Sequence, residues 1–195
     1  LLDAIRGENL FPVVKLTAVY GLRRSEVLGL KWDSVDFDAD TITVKHTVAK
    51  VTQIVEKDKT KNKPSRRTFP LTPDVKAMLL DLKRQEDANR RLFRSQYAEN
   101  DYILKWDDGR PFTPDYVSHR FSRLLEIYKM PHIRFHELRH SCASFLLNAG
   151  FTLKDVQEWL GHSDIKMTAN VYGHLDVGRK MGMAEKLTTT LSKLA

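Results

Sequence analysis

The sequence predicts a mainly α-helical domain carrying a small antiparallel β-sheet. Most apolar residues recur at helical spacing, between Thr, Pro and Gly residues that punctuate helices. The interval from Trp32 to about Val55 is different: there the period shortens to two, as in half-buried strands. A composition of 42% apolar residues with three tryptophans, over 195 residues, fits one compact core.

Residues 10–20 (LFPVVKLTAVY) are apolar all round, the pattern of a buried helix, and Gly21 ends or bends it. Residues 23–31 predict a short second helix with Val27, Leu28 and Leu30 inward. Arg23 and Glu26 lie three apart on one face of it, and by themselves they read as a surface ion pair. V-D-F, a D-A-D turn and T-I-T-V-K-H-T-V then predict a hairpin with Ile42, Val44, His46 and Val48 on one face. A further strand is expected around 51–55. The basic residues from Lys57 to Arg67 form the exposed turn between two strands, which reads either as a solvated loop or, favoured by the net charge of +7, as a finger resting on phosphates.

Thr72-Pro73-Asp74 starts a helix running to about Phe93, with Val75, Met78, Leu79 and Leu82 inside. Residues 94–112 are irregular, apart from a short strand at Tyr102–Leu104 and a D-D-G-R-P turn. Thr113-Pro114-Asp115 opens another helix. Its outer face carries His119, Arg120 and Arg123, which suit either a second DNA-facing surface or plain solvent contact. Met130-Pro131 breaks the chain before a helix at 136–149. Thr152 caps the next helix, 153–160, which Gly161 stops. A short helix at 164–170 and an amphipathic one over 176–194 complete the reading.

The formal net charge is +7, which favours a polyanionic partner, nucleic acid first. One cysteine, Cys142, excludes an intramolecular disulfide and any cysteine-based zinc cluster. No apolar run approaches the ~18 residues of a membrane span, and the sequence contains no signal peptide, although a missing upstream segment would have room for one or for another domain; a cytoplasmic location is the expectation. The chain begins at Leu1 without methionine and reads as a fragment.

Between His136 and His174 the sequence crowds four histidines, Arg139 and Tyr172 into short amphipathic helices. Two chemistries fit. H-E-L-R-H matches a zinc-peptidase motif, with His136 and His140 as ligands, Glu137 as base and Glu158 as a third ligand. That reading leaves Arg23, Arg139, the basic turn and Tyr172 without roles. The alternative takes His136 and Arg139 as one unit facing a small anion, joined by the fork of Arg23 and the imidazole of His162. Such a clamp suits a phosphodiester that gains charge as it becomes five-coordinate. Tyr172 then serves as nucleophile and a lysine of the turn as proton donor, with no metal.

On these residues the chain resembles the catalytic domain of a tyrosine recombinase of the phage-integrase family, of the kind carried by bacterial mobile elements. The motifs are Y-G-L-R-R-S-E-V-L-G-L-K-W, T-K-N-K-P-S-R-R-T-F-P-L, H-E-L-R-H, L-G-H-S and V-Y-G-H, in family order over essentially the whole chain. The resemblance implies the DNA breaking-rejoining fold, with Arg23, Lys61, His136, Arg139, His162 and Tyr172 catalytic. Lys59 and Lys63 share the turn with Lys61, and either is an alternative proton donor. Glu26 and His140 support the site. Lys59, Lys63, Arg66, Arg67, His119, Arg120 and Arg123 are the candidate DNA contacts. It further implies double-stranded DNA as partner, no metal or other cofactor, no membrane, and a location with the bacterial nucleoid. Residues 1–195 are then a single catalytic domain lacking the family's amino-terminal DNA-clamping domain, with 176–195 a carboxy-terminal helix suited to docking in trans. A homotetramer on two DNA sites is expected at full length, and a monomer for this piece. Catalytically silent DNA-binding relatives and type IB topoisomerases are the neighbouring alternatives.

Overall fold

The computed structural model describes residues 1–51, 53–57 and 66–162. Among the described residues, six α-helices pack with two small antiparallel sheets, the mixed architecture expected from the sequence. Helix α1 (Phe11–Tyr20) lies in the middle of the core, with Val13, Val14, Leu16 and Tyr20 buried, and it packs on α5 (Glu137–Asn148). A helix this apolar on every side has no solvent face to keep, so burial is its stable position. Gly21 ends it in the left-handed region, φ +62°, and donates its N–H to the Thr17 carbonyl at 2.9 Å. Helix α2 (Arg24–Leu28) follows after Leu22 and the extended Arg23 and buries Glu26, Val27 and Leu28.

Strands β1 (Val35–Asp36), β2 (Thr41–Thr43) and β5 (Thr68–Pro70) form one sheet in the order β1-β2-β5; β3 (Thr47–Val51) and β4 (Gln53–Lys57) form the other. The sheet pairs Val35 with Ile42 and Ile42 with Phe69. The single hairpin strand expected over residues 41–48 is therefore divided. Ile42, Val44 and Val48 are buried as expected, but the chain leaves the sheet at 44–46, where Lys45 and His46 turn to Asp33. Gly29 permits this crossing, since a Cβ there would lie 2.5 Å from the His46 carbonyl oxygen. The strand expected at 51–55 begins two residues later. The one expected at Tyr102–Leu104 is reduced to a bridge between Lys31 and Tyr102.

Helix α3 (Pro73–Phe93) starts after Thr72 and turns Val75 and Leu79 inward. Helix α4 (Pro114–Ile127) is capped by the Thr113 hydroxyl, which accepts the Tyr116 N–H at 3.2 Å. Helix α6 (Leu153–Leu160) begins at a capping box between Thr152 and Asp155 and stops at Gly161, φ +66°. Cys142, Ala143, Leu147, Val156 and Leu160 form a smaller core between α5 and α6. No described helix is long and apolar enough to cross a membrane. The helices expected at 164–170 and 176–194 lie outside the described residues.

Candidate active site

Three separate stretches of chain meet at one buried carboxylate. Arg23 precedes the first residue of α2, and Glu26 stands at the third position of the helix. The carboxylate reaches back to accept the Arg23 backbone N–H at 2.8 Å, satisfying one of the donors that a helix start leaves open. It also takes the Arg23 Nη1 at 2.6 Å. From the residue before β5, Arg67 places Nη2 2.9 Å and Nη1 3.3 Å from the two carboxylate oxygens. Arg139, on α5, comes within 3.9 Å of the same group. The side chain of Glu26 is only 3% exposed, so the expected surface pair with Arg23 is corrected to a buried one.

Backbone carbonyls complete the arrangement. Arg139 donates through Nη1 to Gly21 at 2.5 Å and through Nη2 to Leu160 at 2.7 Å, while Arg23 Nη2 meets the Gly161 carbonyl at 3.3 Å. The left-handed turns at Gly21 and Gly161 are thus what bring acceptor oxygens to the guanidiniums. His162 follows directly, 8% exposed, with its N–H on the Gln157 carbonyl at 3.0 Å.

The electrostatics are those of a site short of negative charge. Burial pushes Glu26 upward, but the bonds and charges of Arg67 and Arg23 outweigh it and hold the carboxyl below its ordinary value. Burial and the neighbouring Arg23 bring Arg139 down to about 9. Burial first, then Arg139, Arg23, Arg67 and His140, lower His162 to about 4, so its imidazole is neutral at pH 7. His136, exposed at the start of α5, is lowered by partial burial and by His140, whose ring meets it edge-on at 5.0 Å. Three guanidiniums with one carboxylate in a desolvated place are costly unless another anion joins them. A phosphate oxygen matches the planar forks of arginine.

The metal reading of H-E-L-R-H finds a different geometry. Glu137 turns away to accept the Arg134 backbone N–H at 2.6 Å, and exposed Glu158 lies 3.7 Å from Lys154. Among the described residues no three His, Cys, Asp or Glu side chains gather as a metal-binding group.

Of the residues singled out in the sequence, Arg23, Glu26, His136, Arg139 and His162 come together here, with His140 beside them. Arg67, expected as a DNA contact, is inside the cluster; Arg66 is exposed at its edge. On α4, Arg120 donates to Glu8 at 2.6 Å, Arg123 pairs with Glu126 at 2.8 Å, and His119 is exposed. Lys59, Lys61, Lys63, Tyr172 and His174 lie outside the described residues. One feature escaped the sequence reading. A cleft of about 580 Å³ opens next to His136, lined by Arg24, Ser118, Ser122, His132 and Arg134 among others. The pair Ser118 and Ser122, one turn apart on α4, and the second arginine of R-R were its only traces in the sequence.

Fold and site fit one another, and the chain belongs to the phage integrase family, whose sequence model matches residues 4–179. It is 31% identical over 199 residues to the "tyrosine recombinase XerC-like" protein of Caldanaerobacter subterraneus subsp. tengcongensis, covering 95% of this chain and 50% of that protein. To the ICEBs1 integrase of Bacillus subtilis it is 29% identical over 194 residues, 97% of this chain and 50% of that one. The chain spans about half the length of the curated relatives it matches. Among solved structures, the Tn1549 transposon integrase in complex with circular intermediate DNA superimposes with a TM-score of 0.77 at 25% identity, covering 95% of this chain and 63% of that one.

Proposed function

We propose that this domain cuts and rejoins double-stranded DNA through a transient tyrosine–phosphate bond, as the recombinase half of a mobile-element integrase. The observation that carries the reading is the pair of forks, half-buried Arg23 and buried Arg139, held by Glu26 and by backbone carbonyls in a cluster short of negative charge. The deprotonated Tyr172 oxygen attacks the scissile phosphorus. The P–O5′ bond breaks as the Tyr172 O–P bond forms, leaving a 3′-phosphotyrosyl link. The departing 5′ oxygen takes a proton from Lys61. Attack by a 5′ hydroxyl of another strand reverses each step, so bond energy is kept and no ATP is consumed. Arg23, Arg139 and the His162 imidazole stabilise charge that grows on the nonbridging oxygens. The tyrosine has an ordinary pKa of about 10, so its attack requires a neighbouring base or positive charge to take up its proton or hold its anion.

The whole protein's assembly belongs to the same proposal: four copies on two DNA sites, with the 176–195 segment docking on a neighbour. Integration and excision of an element are the favoured outcome, in keeping with the names of its relatives, the ICEBs1 integrase and the Tn1549 transposon integrase. The test is a nicked duplex bearing the sequence that flanks the gene, incubated with the protein at its full natural length. Wild type yields a denaturant-resistant protein–DNA adduct and Tyr172→Phe yields none. An adduct that persists in Tyr172→Phe removes Tyr172 as nucleophile.

A further inference from the structure

We propose that Arg67 is a positioning residue: by neutralising Glu26, it keeps that carboxylate from drawing in Arg139 and leaves the remaining N–H donors of Arg23 and Arg139 for the scissile phosphate. The inference rests on the cleavage reading above and assigns to Arg67 a task other than DNA contact.

The geometry makes the distinction. Arg67 spans both oxygens of Glu26, at 2.9 and 3.3 Å, whereas Arg23 takes one of them with Nη1 and turns Nη2 to the Gly161 carbonyl. Arg139 stands 3.9 Å away, beyond hydrogen-bonding distance, with two of its nitrogens on Gly21 and Leu160. A buried carboxylate without Arg67 has open lone pairs and a full negative charge. Its nearest cations are then the two arginines the phosphate needs. Occupied by Arg67, it orients Arg23 without capturing Arg139.

Arg67 is itself fixed from behind. Its guanidinium carbon lies 5.6 Å from the Phe69 ring centre, and its carbonyl accepts the Val44 N–H at 2.8 Å. Only 7% of the residue is exposed, too little for a phosphate anchor on the outer surface. Its charge reaches both Arg139 and His162, each of which it helps to lower. Three guanidiniums against one carboxylate leave a cluster with two net positive charges. That matches a phosphoryl group passing from one negative charge toward two in the five-coordinate state.

The experiment uses the full-length protein with two probes: the nicked flanking-sequence duplex for adduct formation, and random-sequence duplex DNA for affinity against salt. Arg67→Gln is expected to slow adduct formation at saturating DNA by roughly 100-fold, the scale of losing one preorganised donor. DNA affinity stays within about twofold, and the slope of log affinity against log salt is unchanged. Arg67→Lys, which keeps charge but not the fork, recovers about tenfold. Combined with Glu26→Gln, Arg67→Gln is less impaired in adduct rate per folded molecule than alone, because the competing carboxylate is gone; a merely structural pair would recover the denaturation midpoint but not that rate. Should Arg67→Gln fail to fold, Arg67→Lys carries the test, about tenfold slower than wild type at an unchanged salt slope.

A salt slope shallower by about one identifies Arg67 as a phosphate contact and overturns the proposal. So does a double variant as slow as the single one. Absence of adduct in wild type overturns the cleavage reading itself; wild-type adduct matched in rate by Arg67→Gln overturns the role of Arg67 alone.

Discussion

Arg139 donates to the carbonyl of Gly21 at 2.5 Å, and Gly21 stands two residues before Arg23. One fork of the site thus grips the backbone that delivers the other. The spacing between them is set by a single left-handed residue, with α1 and α5 as the rigid sides. Damage to that residue should reach both forks together.

Gly21→Ala tests the dependence directly. At φ +62° a side chain is strained, and its Cβ would lie 2.2 Å from Leu160 Cδ2. A loss of about 1–3 kcal/mol is expected from the backbone and the forced repacking, read as a lower denaturation midpoint. Adduct formation per folded molecule falls as well, since the Arg139 acceptor moves. Unchanged adduct formation in folded Gly21→Ala protein would show that the forks tolerate displacement.

His162 predicts a dependence on acid. Unfolded, its imidazole takes a proton near 6.5; folded, only near 4. Between those values the unfolded chain binds more protons, so its free energy drops relative to the native state. This contribution to stability is whole above pH 6.5 and is lost as pH falls toward 4. Melting curves across that window should show a shallower pH slope for His162→Asn than for wild type. Equal slopes would assign the acid sensitivity to other groups, His136 first.

Away from the site, Glu86 provides a contrast. It receives the Trp32 indole N–H at 2.6 Å, Arg90 Nη2 at 2.7 Å and Lys105 Nζ at 2.7 Å. Glu86→Ala leaves the Lys105 ammonium, whose side chain is 6% exposed, without its carboxylate and with the Asn100 carbonyl at 3.1 Å. A cost of about 3–5 kcal/mol is expected in chemical denaturation. The adduct rate of the molecules that remain folded stays at the wild-type value; a fall would tie α3 to catalysis.

Chelation separates the two chemistries first read from H-E-L-R-H. With guanidiniums as the source of positive charge, adduct formation in excess EDTA should match that in its absence. Strong inhibition, restored by zinc, would return Glu137 to consideration as a base.

The elements bounded by local chemistry were legible. Thr113, Thr152, Gly21 and Gly161 each act within one helical turn, and the structure puts helix ends where they stand. What escaped was set by distant parts of the chain. The break at 44–46 depends on how closely Gly29 lets the His46 backbone approach. An arginine and a glutamate three apart look alike on a wet or a buried helix, so the depth of Glu26 had no local signal. Arg67 reads as the end of a basic tract, and only β5 carries it inward to the carboxylate. The acceptors at Gly21, Leu160 and Gly161 are peptide oxygens, which every residue owns.

That last feature bears on how such a domain diverges. Because Arg139 and one arm of Arg23 are received by the course of the main chain, the side chains around them, Glu26 apart, can be rewritten without removing those acceptors. Inheritance of this site then means inheritance of two tight turns and a helix end more than of a particular lining. A lineage can therefore drift far in sequence and still present the same pair of arginines.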